Sequence, residues 1–242
     1  MREIRIYQQG SYQPGDTIEL DEVAGQHVGV VLRMRLKDKI TLFPGNNLEF
    51  SAEIIQIHKK KVIVTILSQT LANKESPKKI HLAQAMGKAD KMEWIVQKAV
   101  ELGVTSITPL LTEYSQVKLD KERLEKKRNQ WQAIAIAACE QSGRNVLPII
   151  NGILSFDAFL QVEKVGEQYI LHPYKAKTWK DCPFAASELH LLIGPEGGFS
   201  EKEVETALSK GFNPLSLGPR ILRMETAAIA SLSLLQAISG DL

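Results

Sequence analysis

Two glycine–proline segments near the C-terminus constrain this chain more than any other feature. They are Ile193-Gly194-Pro195-Glu196-Gly197-Gly198 and Leu217-Gly218-Pro219-Arg220-Ile221-Leu222-Arg223-Met224-Glu225-Thr226. Each follows a short apolar run, at 189–193 or 214–217, and each leads into a helical pattern. Two strand–loop–helix units in succession predict adjacent parallel strands whose loops leave one sheet edge. In open α/β sheets, ligands bind beyond the strand C-termini at that edge. Gly194, Gly197 and Gly198 permit positive φ and close approach of backbone to a ligand, and Pro195 fixes φ between them.

A single Gly-Pro loop is an ordinary turn. The first loop lacks the Gly-Lys-Ser/Thr ending of a phosphate-binding loop and the Gly-x-Gly-x-x-Gly spacing of dinucleotide folds. The second loop adds Arg220, Arg223 and Glu225 just before an Ala-rich helix. Charged side chains so close to a buried helix start require partners, which marks a functional cluster.

The period of the chain changes near residue 72. Before it, short β-branched runs at 41–43, 48–57 and 62–67 are separated by Pro44-Gly45-Asn46-Asn47 and by Lys59-Lys60-Lys61, the pattern of a small barrel. Residues 70–79 are polar and aperiodic and contain Pro77, a natural boundary. Beyond it, 80–85 reads as a strand. Asp90 and Glu93 have capping-box spacing ahead of Met92, Ile95, Val96, Ala99, Val100 and Leu102 at helical intervals, with Gly103 as C-cap. Another strand at 105–111, a long helix at 120–142 and a third apolar run at 169–171 continue a strand–helix alternation that predicts a parallel, two-faced sheet. The last helix, 226–239, carries no charge and is expected to be buried on most sides, within the subunit or against a second one.

Composition narrows the class. With 44% hydrophobic and 24% charged residues in 242, the chain can bury a substantial core. No apolar run approaches the roughly 18 residues of a membrane span, and the N-terminus lacks a signal-peptide core. Cys139 and Cys182 fit reduced structural thiols; without Cys-x-x-Cys or Cys/His spacing, no metal site is expected. The formal charge of +2 says little about nucleic acid, but basic residues cluster at 33–39, 59–61 and 118–128. Such runs are solvated faces unless the fold gathers them into one footprint for RNA.

The segments LLIGPEGGFS and LGPRILRMETAAIAS resemble the C-terminal signature of the RsmE family, bacterial methyltransferases that use S-adenosylmethionine to methylate N3 of one uridine in small-subunit ribosomal RNA. The resemblance runs through the chain in order: MREIRIY, VLRMR, LFPGNN, ESPKKIHLAQAMGKADKMEWIVQKAVELGV, IAIAACEQSGR and LHP. It implies an α/β protein with an N-terminal PUA-like RNA-binding β-barrel over 1–72. A SPOUT-type α/β methyltransferase domain over 73–242 follows, with a C-terminal trefoil knot. It further implies a cytoplasmic homodimer with its active sites beside the interface, acting on 16S rRNA within the 30S subunit or a late assembly intermediate.

Carried onto this sequence, the cofactor contacts are Leu171, His172, Pro173, Ile193, Gly194, Pro195, Glu196, Gly197, Gly198, Leu217, Gly218, Leu222, Met224 and Thr226. The RNA contacts are Arg2, Arg5, Arg33, Arg35, Lys88 and Arg144. Arg220, Glu225 and Arg223 are the catalytic candidates. Methylation at uridine N3 needs an extruded base, loss of the imide proton and in-line approach to the sulfonium methyl. Arginine cannot act as base at neutral pH but can stabilise the pyrimidine anion; Glu225 or His172 can take the proton. Other readings stand beside these: a salt bridge from Glu225 to a neighbouring arginine, a structural role for His172, and a helix-dipole role for Arg144. For the whole chain, the alternatives are a SPOUT enzyme acting on a ribose 2′-hydroxyl or guanine, and a non-enzymatic ribosome-assembly protein.

Overall fold

The computed structural model describes residues 3–115, 121–172 and 176–242. They group into two units: 1–75 together with 139–147, and 76–138 together with 148–242. The first unit thus takes in a segment that the sequence boundary at residue 72 assigned to the second.

The first unit contains β1 (Arg5–Tyr7), β2 (Thr17–Glu19), α1 (Glu22–Gln26), a π-helical turn (His27–Val31), β3 (Lys39–Phe43), β4 (Leu48–His58) and β5 (Lys61–Leu71). The strands form one mixed sheet in the order β1-β3-β4-β5-β2, with β1 parallel to β3 and the other pairings antiparallel. Turn chemistry does what its residues allow: Gly45 (φ 96°) and Asn47 (φ 64°) turn the chain between β3 and β4 through left-handed conformations. Period-two alternation places Phe50, Ala52 and Ile54 of β4 with Val62, Val64 and Ile66 of β5 in a single apolar core, joined by Ile6, Leu42 and Val28. Each such side chain stabilises the unit by roughly 1.5–3 kcal/mol on burial.

The second unit alternates strands and helices: β6 (Lys79–Ala85), α2 (Ala89–Glu101), β7 (Ser106–Leu111), α3 (Lys121–Ser142), β8 (Ile149–Ile150), β9 (Leu154–Ser155), α4 (Phe156–Gln161), β10 (Glu167–Leu171), β11 (Lys177–Thr178), β12 (Glu188–Ile193), α5 (Glu201–Ser209), β13 (Asn213–Ser216) and α6 (Met224–Ser239). The last residues of α3, from Cys139 on, fall in the first unit. Every pairing in the sheet is parallel, in the order β11-β13-β10-β12-β6-β7-β8, with β9 on β7 off that path. Ala83, Leu110, Ile170 and Leu192 meet Phe156, Phe159 and Leu160 of α4 and Ala207 of α5 on one face.

Two expectations are corrected here. The strands preceding the two glycine loops, β12 and β13, are not adjacent, because β10 pairs with both. A crossover longer than a hairpin lets the chain return on the far side of an earlier strand, which strand–loop–helix spacing cannot reveal. Asp90 does not cap α2: Lys88 occupies the N-cap without a side-chain hydrogen bond, and Asp90 lies within the first turn. The capping box belongs to α5, where Ser200 and Glu203 satisfy each other's backbone N–H.

Helix α6 begins at Met224, earlier than the sequence pattern placed it, so Glu225 and Thr226 stand in its first turn. It packs alongside α2 and buries one stripe, Met224, Ala227, Ala228, Ser231, Leu232, Leu235 and Gln236. Ile229, Ala230 and Leu234 remain half-buried and Ile238 is exposed, so within one chain the helix is covered on a single side.

Candidate functional site

Because β13, β10 and β12 are neighbours and parallel, the segments leaving their C-terminal ends converge. Leu171 and His172 follow β10, residues 194–199 follow β12 and residues 217–223 follow β13. They surround a cavity of about 590 Å³, inside the 300–1,000 Å³ span typical of small-molecule sites. Among the expected cofactor residues, Leu171, His172, Ile193, Gly194, Pro195, Glu196, Gly197, Gly198, Leu217, Gly218, Leu222 and Met224 line it, as do Arg220 and Arg223. Thr226 and Glu225 are not on its wall, and Pro173 lies outside the described residues.

Glycines in the two loops let backbone form part of the walls, beside the side chains of Leu171, Ile193, Phe199, Leu222 and Met224. Gly198 donates its N–H to the Pro195 carbonyl at 2.9 Å, closing a turn with Gly198 at φ 75°. A side chain at Gly194 would sit 3.2 Å from the Gly198 carbonyl carbon, so that glycine is needed for the loop to fold on itself. Gly197 is absent from the positive-φ positions, contrary to expectation; a Cβ there would stand 3.3 Å from Cβ of Tyr114. In the second loop Gly218 has φ 131°, and its backbone N–H donates to Ser216 Oγ at 3.2 Å.

One charged cavity residue escaped the sequence reading. Lys91, in the first turn of α2, reaches the wall and places its ammonium 3.4 Å from Glu196 Oε1 and 3.2 Å from Glu225 Oε2. Desolvation works against its charge, but Glu225 and then Glu196 outweigh it and hold the ammonium above its ordinary value. Burial opposes ionisation of Glu196 too; its own backbone N–H, that of Lys88 and the Lys91 ammonium nevertheless keep its carboxyl below the usual range. Glu225 therefore pairs with Lys91 rather than with a neighbouring arginine. The contact is a charge pair without hydrogen-bond alignment, which leaves Glu225 Oε2 shut from solvent and with no hydrogen-bond donor.

Gly87 makes this meeting of segments possible, since a Cβ there would lie 2.5 Å from Met224 Cε and 2.9 Å from Glu196 Oε2. The signal available in the sequence was that glycine, set between a strand and an amphipathic helix with Lys91 in its first turn. Arg220 and Arg223 are exposed at the rim and form no ion pair among the described residues. The expectation that both need partners is corrected: the two side chains reach solvent although the helix start beside them is buried.

The expected RNA contacts separate into two groups. Arg33, Arg35 and Lys88 are exposed. Arg5 and Arg144 are only 7% and 5% exposed. Arg5 pairs with Glu49 at 2.6 Å, bonds Asn145 and lies over the Phe43 ring; Arg144 grips Glu75 through Nε and a terminal nitrogen. These two arginines are interior cations of the first unit, a correction to their expected place on an RNA-binding face. The Lys60 and Lys61 ammonium groups are answered by Glu22 and Glu19. Arg2 and Lys118 lie outside the described residues.

Comparison with known proteins agrees with this geometry. Residues 74–236 match the model of an RNA methyltransferase domain, and residues 20–67 that of an RNA methyltransferase PUA domain. The chain is 38% identical over 239 residues to a Buchnera aphidicola protein named ribosomal RNA small subunit methyltransferase E, covering 98% of this chain and 97% of that one. A Bacillus subtilis protein of the same name is 35% identical over 235 residues, covering 93% and 91%. Among solved structures, a Legionella pneumophila methyltransferase with bound S-adenosylmethionine superimposes over both full chains with a TM-score of 0.98 and 54% identity. A Neisseria gonorrhoeae ribosomal RNA small subunit methyltransferase E bound to S-adenosylmethionine does so with a TM-score of 0.93 and 34% identity.

Proposed function

The chain belongs to the ribosomal RNA small subunit methyltransferase E family, and we propose that it transfers the methyl group of S-adenosylmethionine to N3 of one uridine in 16S rRNA. The observation that carries this reading is the meeting of three strand ends around one cavity, with the Lys91–Glu225 pair at its side. The glycines of these loops let backbone N–H and C=O groups come close to the edges of a flat adenine and its ribose.

Bound S-adenosylmethionine supplies an electrophilic methyl group on a sulfonium. The rest falls to the protein. The loops at 194–198 and 217–224 hold the adenosine, and Leu171 and Met224 give it an apolar floor. An extruded uridine enters from the rim, where Arg220 and Arg223 face solvent and can meet its flanking phosphates or the negative charge on O2 and O4 as the imide proton leaves. Glu225, held beside the cavity by Lys91 but not on its wall, accepts that proton through water. Lys91 fixes the carboxylate and balances its charge.

We extend the reading to assembly. Passage of the chain from β12 to β13 across β10 is the arrangement a trefoil knot requires, and it supports the knot implied by family resemblance. The half-buried row Ile229, Ala230 and Leu234 on α6 supports a homodimer. Of the expected RNA contacts, exposed Arg33, Arg35 and Lys88 remain to meet RNA, with the 30S subunit or a late assembly intermediate as substrate. Such an enzyme works in the cytoplasm, where ribosomal subunits are built.

The test is direct. Purified enzyme with S-adenosylmethionine should convert one uridine of small subunits from a deletion strain to 3-methyluridine, located by nucleoside mass mapping. A methylated ribose or guanine, or no transfer by protein that binds the cofactor, rejects the assignment.

A further inference from the structure

Opposite the cavity, at the N-terminal edge of the same sheet, neighbouring strands gather two imidazoles and a carboxylate. In the parallel ladder, His190 of β12 stands opposite His81 of β6, and His81 opposite Ser106 of β7. Glu188 lies two residues before His190 and so projects from the same face. The imidazole rings stack with centroids 4.7 Å apart and planes 18° from parallel. Ligand atoms of His81, Glu188 and His190 lie within 4.8 Å of one another.

Each of the three side chains already has one polar atom anchored elsewhere. His190 Nε2 is 3.0 Å from the Val165 carbonyl, which only accepts, so Nε2 carries the proton and Nδ1 the lone pair. His81 Nδ1 is 2.8 Å from Ser106 Oγ. Glu188 Oε1 takes the Lys79 ammonium at 2.8 Å. What remains is His190 Nδ1, His81 Nε2 and Glu188 Oε2. His81 Nε2 is shut from solvent without a hydrogen-bond partner, and Glu188 Oε2 is 3.5 Å away. Fixing the outer nitrogen of a histidine by a carbonyl or hydroxyl is how proteins orient imidazoles toward a metal.

The electrostatics are compatible with a cation. Lys79 and Lys164 bring positive charge nearby, but Lys79 is bound to Glu188 Oε1, and Lys164 is held by the Phe159 and Val162 carbonyls at 2.7 Å each.

We propose that His81, Glu188 and His190 form a binding site for a divalent transition-metal ion of the zinc class. Two imidazoles and a carboxylate are a ligand set for zinc, with water completing the shell. An ion held by all three would draw these atoms to about 2.1 Å from it at the expense of the present ring stack. The ion would tie β6 to β12 at the edge far from the cofactor loops, a staple on the fold independent of methyl transfer. No sequence motif announced it, because the ligands come from two strands paired in space.

The test uses the full chain without an affinity tag, freed of metal and titrated with Co²⁺ under visible absorption. One equivalent should bind at micromolar concentration with d–d bands that Zn²⁺ abolishes. His190→Asn should weaken binding by roughly tenfold or more, and Ser106→Ala, which frees only the outer nitrogen of His81, by about tenfold. Absence of stoichiometric Co²⁺ uptake overturns the proposal. So does unchanged uptake in a His81→Asn, His190→Asn double variant that still binds S-adenosylmethionine. Should that variant not fold, unchanged Zn²⁺ affinity in Glu188→Gln overturns it instead.

Discussion

The ammonium of Lys91 stands 3.2 Å from the carboxylate of Glu225, joining the first turn of α2 to the first turn of α6. With Glu196 at 3.4 Å on its other side, Lys91 ties a cofactor loop and a helix start to one point. Side chains of all three are more than half covered, at 23%, 38% and 19% exposed, so the charges are screened less than on an open surface.

Replacing Lys91 by Met should therefore lower turnover by roughly a hundredfold while weakening cofactor binding much less. Lys91→Arg should restore most of the rate, because it keeps the charge. Single-turnover rates beside calorimetric affinities separate the two effects; equal losses in both would reduce Lys91 to a structural brace.

The two loop glycines differ in what they tolerate. Gly198 has φ 75° with nothing within 4 Å of a Cβ, so Gly198→Ala adds backbone strain without a clash. That strain, about 1–2 kcal/mol, should lower the melting temperature by a few degrees and, where the loop relaxes to escape it, weaken S-adenosylmethionine binding by up to roughly tenfold. Gly197→Ala meets Tyr114 at 3.3 Å instead and should be the milder change. Calorimetry that ranks the two in reverse order contradicts this account of the loop.

In the first unit, Glu49 gives a pH signature. Burial opposes its ionisation, yet Asn145 and Arg5, helped by Lys74, hold its carboxyl below its ordinary value. A carboxyl depressed by folding contributes stability that is complete above the unfolded value near 4.3 and is lost as pH falls through the folded value. Glu49→Gln should cost about 2 kcal/mol at pH 7 and flatten the acid limb of the stability curve. Denaturant unfolding at steps between pH 3 and 7 checks both.

On α6, Leu234 and Leu235 are neighbours with opposite expected behaviour. Leu235 is buried in the chain, whereas Leu234 lies in the half-buried row. Leu234→Glu should leave a folded monomer of 27.0 kDa in place of a dimer of twice that mass, and Leu235→Glu should unfold the second unit, because an unpaired carboxylate in a core is costly. Light scattering with circular dichroism distinguishes the outcomes, and a monomeric active wild type removes the dimer.

Local pattern carried much of this fold. Periodicity gave β3 to β7, α2, α3 and α6, and glycine–proline chemistry gave both loops of the site. Relations between distant segments were not legible. Nothing near β10 shows that it separates β12 from β13, and nothing near Glu225 points to Lys91. Arg5 and Arg144 read as surface cations because only the folded unit supplies Glu49, Asn145 and Glu75 as their partners.

Every residue lining the cavity except Lys91 comes from position 171 or later. A growing chain can fold its first unit and lay down β6 and β7 early, yet it owns no cofactor pocket until β13 has crossed to the far side of β10 and the start of α6 has arrived. Competence is thus gained abruptly, once the residues from 171 to 227 have all been made. Cofactor capture by newly made protein would time that last step, and a chain broken off before Gly218 would be a scaffold without chemistry.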